Sequence, residues 1–220
     1  MESAGKNDGQ AVVERGELLE LVTLSCPLLA VGEMAARVRG WAAGAEAGGE
    51  TLGLWRSEIG VLGRLLMLRR FADAEAMAAE RERCLRSGDP FLSGGVGTGW
   101  RSESFRTFPF LPPIRLGQRG PLFELRRYRL RPGGLPPTLA GWREAVPAAE
   151  HYAPHLVVAM HALEGEPRIV HLWGFRDFEQ RSQLRRAAYG AGTWPPRGGP
   201  ENILHASASL LWAEDGSPLR

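Results

Sequence analysis

The segment Phe123–Gly133, FELRRYRLRPG, predicts a strand that stops at a Pro-Gly turn and is followed by a helix. It has a counterpart 104 residues earlier, where Leu19-Glu20-Leu21 matches Phe123-Glu124-Leu125. The same offset returns downstream, because Leu68, Phe71, Asp73 and Glu75 match Leu172, Phe175, Asp177 and Glu179. Two anchors at one offset indicate two copies of one structural unit.

Each copy predicts the element order βαββαβ, so we expect an α+β fold of two ferredoxin-like repeats. The predicted divisions are a disordered tail (1–16), the first repeat (17–111), a linker (112–121), the second repeat (122–214) and a tail (215–220). The last strand of the first repeat is predicted at Ser104–Leu111, after a glycine-rich loop at Phe91–Glu103. Each sheet would have one bare face, and the two faces can pair to close a barrel as a pseudo-dimer within one chain.

The composition is that of a globular protein, with 44% apolar residues, 24% charged residues and a net charge of +2 in 220 residues. The arginines form no long run, so nucleic acid is not an expected partner. No segment is apolar and long enough to predict a membrane span. Two lone cysteines, Cys26 and Cys84, favour a reducing compartment, and we expect a cytoplasmic protein that is a monomer or a homodimer.

Polar residues alternate with apolar ones on the first strand of the second repeat. Glu124, Arg126 and Tyr128 share one face, whereas Phe123 and Leu125 share the other. We expect the apolar face to meet the helices and the polar face to point into the barrel. Arg126 and Tyr128 could then orient a substrate carbonyl or phenolate. The alternative is a structural ion pair between Glu124 and Arg126.

The histidines all lie in the second repeat. His171 shares a face with Ile169 and Trp173, which predicts a position in the barrel lumen and suits a general acid or base. The alternative is an ordinary structural hydrogen bond. Three strand histidines, His161, His171 and His205, could converge on a metal, but without metal-ligand spacing we expect no metal and no cofactor. We expect His161 to contact the substrate instead.

The first repeat contributes three candidate substrate-binding residues, Trp55, Glu58 and Arg69. Arg69 aligns with Trp173, a further candidate contact together with Glu124, and is therefore expected in the lumen. Glu58 precedes a glycine turn, so its alternative role is a turn cap.

Three segments resemble the NIPSNAP family. They are Glu124-Leu125-Arg126-x-Tyr128-x-Leu130-x-Pro132-Gly133, Gly53-x-Trp55-x-Ser57-Glu58-Ile59-Gly60 and His171-Leu172-Trp173-x-Phe175-x-Asp177. The signature is divided between the repeats, since each repeat keeps different parts of it. The resemblance implies the dimeric α+β barrel fold, whose members include cofactor-independent monooxygenases, haem-degrading enzymes, cyclases and isomerases.

Together these features predict a barrel that binds a small apolar or aromatic molecule between its two sheets. The favoured activity is that of a cofactor-independent oxygenase, cyclase or isomerase of small-molecule biosynthesis, with His171 as acid or base and with Arg126 and Tyr128 positioning the substrate. Two alternatives stay open. One is a non-catalytic scaffold with a filled barrel, and the other is a haem- or metal-dependent monooxygenase.

Overall fold

The computed structural model describes residues 16–220. The predicted N-terminal tail (1–16) therefore lies outside the described residues except for Gly16. The eight strands are β1 (Leu18–Ser25), β2 (Glu50–Ile59), β3 (Arg64–Phe71), β4 (Gly99–Thr107), β5 (Leu122–Leu130), β6 (Leu156–Ala162), β7 (Arg168–Phe175) and β8 (Ile203–Ala213). The four α-helices are α1 (Val31–Ala42), α2 (Ala74–Arg86), α3 (Leu135–Ala148) and α4 (Phe178–Gly190).

The strands form one closed antiparallel barrel in the order β1-β3-β2-β8-β5-β7-β6-β4. The sheets of the two repeats join where β2 pairs with β8 and where β4 pairs with β6. Both joints pair a strand of one repeat with a strand of the other, which leaves neither sheet with an open edge. The predicted α+β fold, with two ferredoxin-like repeats forming a pseudo-dimer, is confirmed.

The repeated sequence specifies the start of the second helix in each repeat. Asp73 accepts a hydrogen bond from the Ala76 amide at 2.8 Å, and Asp177 accepts one from the Gln180 amide at 2.7 Å. Each aspartate satisfies an amide that the first helical turn leaves free, which stabilises a helix by about 1 kcal/mol. This local capping places α2 and α4 at equivalent positions on their sheets.

The barrel has apolar side chains on both faces of its wall. The inner core lies in the lumen and includes Leu21, Leu68, Phe105, Phe123 and Leu172. Two outer cores lie between the sheet and the helices. The first outer core, under α1 and α2, includes Val22, Met34, Val38, Met67 and Cys84. The second, under α3 and α4, includes Trp142, Tyr152, Ile169, Trp173 and Trp194.

The predicted orientation of β5 is wrong. Phe123 and Leu125 belong to the inner core, whereas Glu124, Arg126 and Tyr128 lie on the helix side. Because both sides of the wall are largely apolar, the alternation of polar and apolar residues separates the two faces without saying which one is inside. Arginines from α4 reach Glu124, so this charged face is satisfied under the helices and not in the lumen.

The glycine-rich loop is shorter than predicted, because β4 begins at Gly99 and ends at Thr107. Its register is set by full-length pairing with β1, from Ser25 opposite Gly99 to Leu18 opposite Arg106. The strand cannot continue far beyond Thr107, because Pro109 has no amide hydrogen to donate to a ladder.

Candidate functional site

Five of the predicted site residues lie together on the helix side of the second repeat. Arg126 on β5 is directly opposite His171 on β7, and Glu124 is opposite Trp173. Tyr128 extends the same face and contacts His171 ring to ring, with centroids 4.9 Å apart. The structure therefore brings the predicted catalytic group together, in the space between the sheet and helices α3 and α4.

Glu124 is fully buried and surrounded by cations. The Arg126 guanidinium donates to both Glu124 carboxylate oxygens, at 3.0 and 3.1 Å. Arg181 on α4 donates to Oε1 at 2.5 Å, and Arg185 lies 3.6 Å from the same oxygen. Both oxygens of this carboxylate are engaged by cations, and its role is to hold Arg126 in place.

Arg126 connects this ion pair to Tyr128. Its Nη1 donates to the Tyr128 hydroxyl at 3.2 Å. Burial alone would lower the pKa of Arg126, but the Glu124 carboxylate outweighs burial and raises that pKa above its usual value. Burial raises the pKa of Tyr128, although Arg126 opposes this shift. At neutral pH, Tyr128 therefore keeps its proton and can donate it in a hydrogen bond.

His171 is a neutral hydrogen-bond donor in this site. Burial lowers the pKa of His171 well below its usual value, and the neighbouring Arg126 charge lowers it further. The Trp173 indole N–H lies 2.6 Å from Nδ1, and an indole nitrogen can only donate, so Nδ1 must be the acceptor. The ring proton is therefore on Nε2, which has no hydrogen-bond partner among residues 16–220. This arrangement favours donation from His171 over the predicted role as a base.

A pocket of about 180 Å³ lies next to these donors. Its wall combines aromatic side chains with the proline-rich segment that follows α4. The Trp142 ring meets the rings of His171 and Trp194 edge to face, at 5.0 and 4.9 Å. The lining residues are Tyr128, Thr138, Trp142, Ile169, His171, Tyr189, Trp194, Pro195, Pro196, Gly199, Pro200, Ile203 and Ala206.

Four other predicted site residues lie elsewhere. Trp55 is in the inner core, where its ring contacts Phe123 with centroids 5.4 Å apart. Glu58 is exposed near the end of β2. His161 is partly buried beside Phe108. None of the three lines the pocket beside His171, so they do not belong to this site.

Arg69, the fourth, was expected in the lumen, and this prediction is wrong. It lies under α2 in the first repeat, where it is bonded to Glu20 and Glu80. Like Trp173, with which it aligns, it is on the helix side of the wall. The physical reason is that a buried cation needs carboxylate partners, and one of the two, Glu80, comes from helix α2.

The first repeat has no equivalent of the donor group. The residues 104 positions before Arg126, Tyr128 and His171 are Val22, Leu24 and Met67, and all three are in the first outer core. Apolar side chains therefore occupy the space that the donors occupy in the second repeat. Residues 16–220 therefore contain one such site although the fold has two repeats.

Sequence reasoning missed several residues around the site. These residues are Trp142 on α3, Tyr189 on α4 and the two Glu124 partners Arg181 and Arg185. One signal was available, because Glu20 and Arg81 recur as Glu124 and Arg185 at the repeat offset, and Arg81 bonds Glu20 at 2.9 Å. A repeated charged pair on a strand and a helix indicates contact between them, and hence a helix-facing side for Glu124.

The tautomer of His171 can be measured directly. Long-range ¹⁵N–¹H NMR is expected to show a single Nε2–H form that does not titrate near the usual pH of 6.5, because burial and the neighbouring Arg126 charge both disfavour the protonated ring. In Trp173→Phe, Nδ1 loses its donor, and a mixture of tautomers is expected. A wild-type ring that titrates near pH 6.5 would contradict this assignment.

The sequence left a metal site open as an alternative and predicted no membrane span. Within residues 16–220, no three or more His, Cys, Asp or Glu side chains are grouped so that they could hold a metal ion. His205 is exposed on β8, away from buried His171. No helix in the described part of the chain is long and apolar enough to cross a membrane.

The sequence matches the NIPSNAP family model over residues 20–90 and 123–209, one segment in each repeat. Among solved structures, it is similar to a candidate monooxygenase from Lactobacillus acidophilus, at 8% identity over 90% of this chain and 94% of that chain, with a TM-score of 0.62. An anthrone oxidase-like protein is 13% identical over 92% of this chain and 94% of its own, with a TM-score of 0.60. These two similarities show the shared fold.

A single-repeat relative also matches. A NIPSNAP family protein from Agrobacterium tumefaciens is 25% identical over 45% of this chain and 98% of its own, with a TM-score of 0.40. No curated protein matches the chain.

Proposed function

The chain belongs to the NIPSNAP family, and from that premise we propose that its second repeat binds a small phenol or enol beside His171 and stabilises the ionised form. One observation carries the proposal. The buried Nε2–H of neutral His171 has no acceptor within residues 16–220, although the His171 side chain lines an aromatic pocket. A buried donor without a partner costs about 1–3 kcal/mol, which a ligand oxygen would recover.

The bound oxygen would accept two hydrogen bonds, one from His171 Nε2–H and one from the Tyr128 hydroxyl. Arg126 lies behind Tyr128 and supplies a positive charge that Glu124 holds in place. Donors and a charge arranged in advance around a developing oxyanion stabilise it more than water does. The ligand's phenolic or enolic hydroxyl proton leaves to water, since both Glu124 and the His171 Nδ1 are already engaged.

The pocket size limits the ligand. A volume of about 180 Å³ is only slightly larger than the cavity of about 150 Å³ that holds benzene in another protein. One aromatic ring with short substituents fits between Trp142, Trp194 and Ile169. Larger ring systems would require the segment after α4 to move.

An ionised phenol or enol is electron-rich, and this is the form required for oxygenation, cyclisation or isomerisation without a cofactor. We therefore assign the protein to cofactor-independent chemistry in small-molecule biosynthesis. The names of the structural neighbours, a candidate monooxygenase and an anthrone oxidase-like protein, are compatible with an oxygenation. Free buried Cys26 and Cys84 support a cytoplasmic location as part of this proposal.

The proposal is tested with 4-nitrophenol, a one-ring phenol whose ionised form is coloured. The bound probe is expected to titrate about one pH unit below the free probe, because the donors favour its anion. His171→Phe and Tyr128→Phe are each expected to weaken binding about tenfold and to reduce the shift, since each removes one donor. The measurement is a spectrophotometric titration at increasing protein concentration.

Nitrobenzene is the matched control ligand, because it lacks the hydroxyl. It is expected to bind more weakly than 4-nitrophenol to the wild type and equally to the wild type and His171→Phe. If 4-nitrophenol binds without any change in its pKa, or if both variants bind it as the wild type does, the proposed oxyanion site is refuted.

A further inference from the structure

A second cavity opens at one end of the barrel lumen, on the other side of the wall from the His171 pocket. Its volume is about 450 Å³. It lies where β1 and β2 end and where β3 and β4 begin, with β5 and β8 completing its wall, and we call it the lumen mouth. The lining residues are Thr23, Ser25, Ser57, Val61, Arg64, Leu66, Gly99, Trp100, Arg101, Leu125, Arg127, Ser207, Ser209 and Leu211.

Positive charge is in excess at the lumen mouth. One buried carboxylate, Glu103, is shared by three guanidinium groups, at 2.7 Å from Arg127, 3.1 Å from Arg168 and 3.0 Å from Arg101. Arg64 is a fourth cation and forms no ion pair with any of residues 16–220. Burial lowers the pKa of Arg127, and the Glu103 carboxylate only partly offsets this shift. The positive charges of Arg101 and Arg168 lower the pKa further. An added anion would relieve this repulsion.

Hydroxyl groups lie between these cations. The strand register places Thr23 opposite Arg101, Ser25 opposite Arg64 and Ser207 opposite Arg127. The Ser57 hydroxyl is buried and has no hydrogen-bond partner among residues 16–220. Guanidinium and hydroxyl donors in alternation suit the oxygens of a carboxylate or phosphate group.

Deeper in the lumen the wall becomes apolar. Leu66, Leu125 and Leu211 line the cavity and belong to the inner core, which closes the barrel beneath them. The cavity thus has a cationic rim and an apolar floor. Such a gradient fits a molecule with an anionic end and an apolar end better than it fits a bare inorganic ion.

From this geometry we propose that the lumen mouth is a second binding site, for a small organic anion that carries a carboxylate or a phosphate monoester on a short apolar body. The anionic group binds among Arg64, Arg101 and Arg127, and the apolar body lies on the three leucines. This site is independent of the His171 pocket, because the two use opposite faces of β5.

Isothermal titration calorimetry of the full chain with phenyl phosphate, benzoate and inorganic phosphate tests the assignment. Saturable binding at one site is expected for phenyl phosphate, benzoate or both, and the stronger of the two identifies the anionic group. Arg64→Gln and Arg127→Gln are each expected to weaken that binding about tenfold, since each removes a charge-assisted contact. Neither change should alter the 4-nitrophenol titration, which reports the other site.

Arg129→Gln is the matched control, because Arg129 is on the same strand, is exposed and pairs with Glu166 outside the cavity lining. It is expected to bind as the wild type does. The inference is refuted if the wild type binds none of the three probes, if all variants bind equally, or if inorganic phosphate binds as tightly as the stronger of the two organic anions. Should Arg127→Gln fail to fold, Arg64→Gln decides alone, since Arg64 pairs with no carboxylate in the described part of the chain.

Discussion

Arg69→Met is expected to lower the free energy of unfolding by about 3 kcal/mol. Arg69 is 1% exposed and bridges two carboxylates that are also buried, Glu20 at 0% and Glu80 at 2% exposed. Methionine fills much of the same space but carries no charge, so two buried anions lose their common cation. The loss stays near the low end for a broken buried ion pair because Glu20 keeps Arg81 and Glu80 keeps Arg83.

Arg70→Met is the matched control for this experiment. Arg70 is the next residue on β3, and its partners Glu17 and Glu50 are more exposed. Its loss is expected to cost about 1 kcal/mol or less, because water screens such pairs. Urea denaturation of both variants measures the difference, and equal midpoints would show that the buried network adds no stability of its own.

The same network gives the stability a predictable pH dependence. Burial alone would raise the pKa of Glu80, but Arg83, the Gly48 amide and Arg69 lower it from 4.5 to about 2. A carboxyl with a depressed pKa in the folded state stabilises the fold fully above its unfolded pKa. This contribution is therefore lost as the pH falls from about 4.5 towards 2. In Arg69→Met, the acid-induced loss is expected to be smaller than in the wild type.

Arg126→Met is expected to weaken 4-nitrophenol binding about 10- to 100-fold, more than the loss of either direct donor. Arg126 supplies the positive charge beside the proposed oxyanion and also bonds the Tyr128 hydroxyl. The cost in stability is expected to be only about 1–2 kcal/mol, since Glu124 keeps Arg181 and Arg185 as partners. This variant is thus expected to lose much of its 4-nitrophenol binding but little of its stability.

Arg181→Met provides the comparison. Arg181 bonds the same Glu124 oxygen but does not contact Tyr128 or His171, so 4-nitrophenol should still bind with a lowered pKa. Parallel spectrophotometric titrations and urea denaturation distinguish the roles. If Arg181→Met loses binding as completely as Arg126→Met, the ion-pair network acts as a structural unit, and Arg126 has no separate role in binding.

The sequence predicted the repeat because local features carry it. Two features recur at one offset. The helix-capping aspartates Asp73 and Asp177 mark where helices begin, and the segments around Glu20 and Glu124 mark strands. Alternation also predicted correctly that Glu124, Arg126 and Tyr128 share one face. These properties depend on residues near one another along the chain, which is why the sequence reveals them.

By itself, then, the sequence determined two βαββαβ units, their strand faces and the polar group of the second unit. Only the tertiary structure decided that this group lies under α3 and α4 and that Arg127, not Arg126, faces the lumen. The physical reason is that a closed barrel buries both faces of its wall. The polarity of a side chain then cannot distinguish the inside of the barrel from the outside. The side is decided by distant ion-pair partners: Arg181 is 57 residues from Glu124, and Glu103 is 24 residues from Arg127.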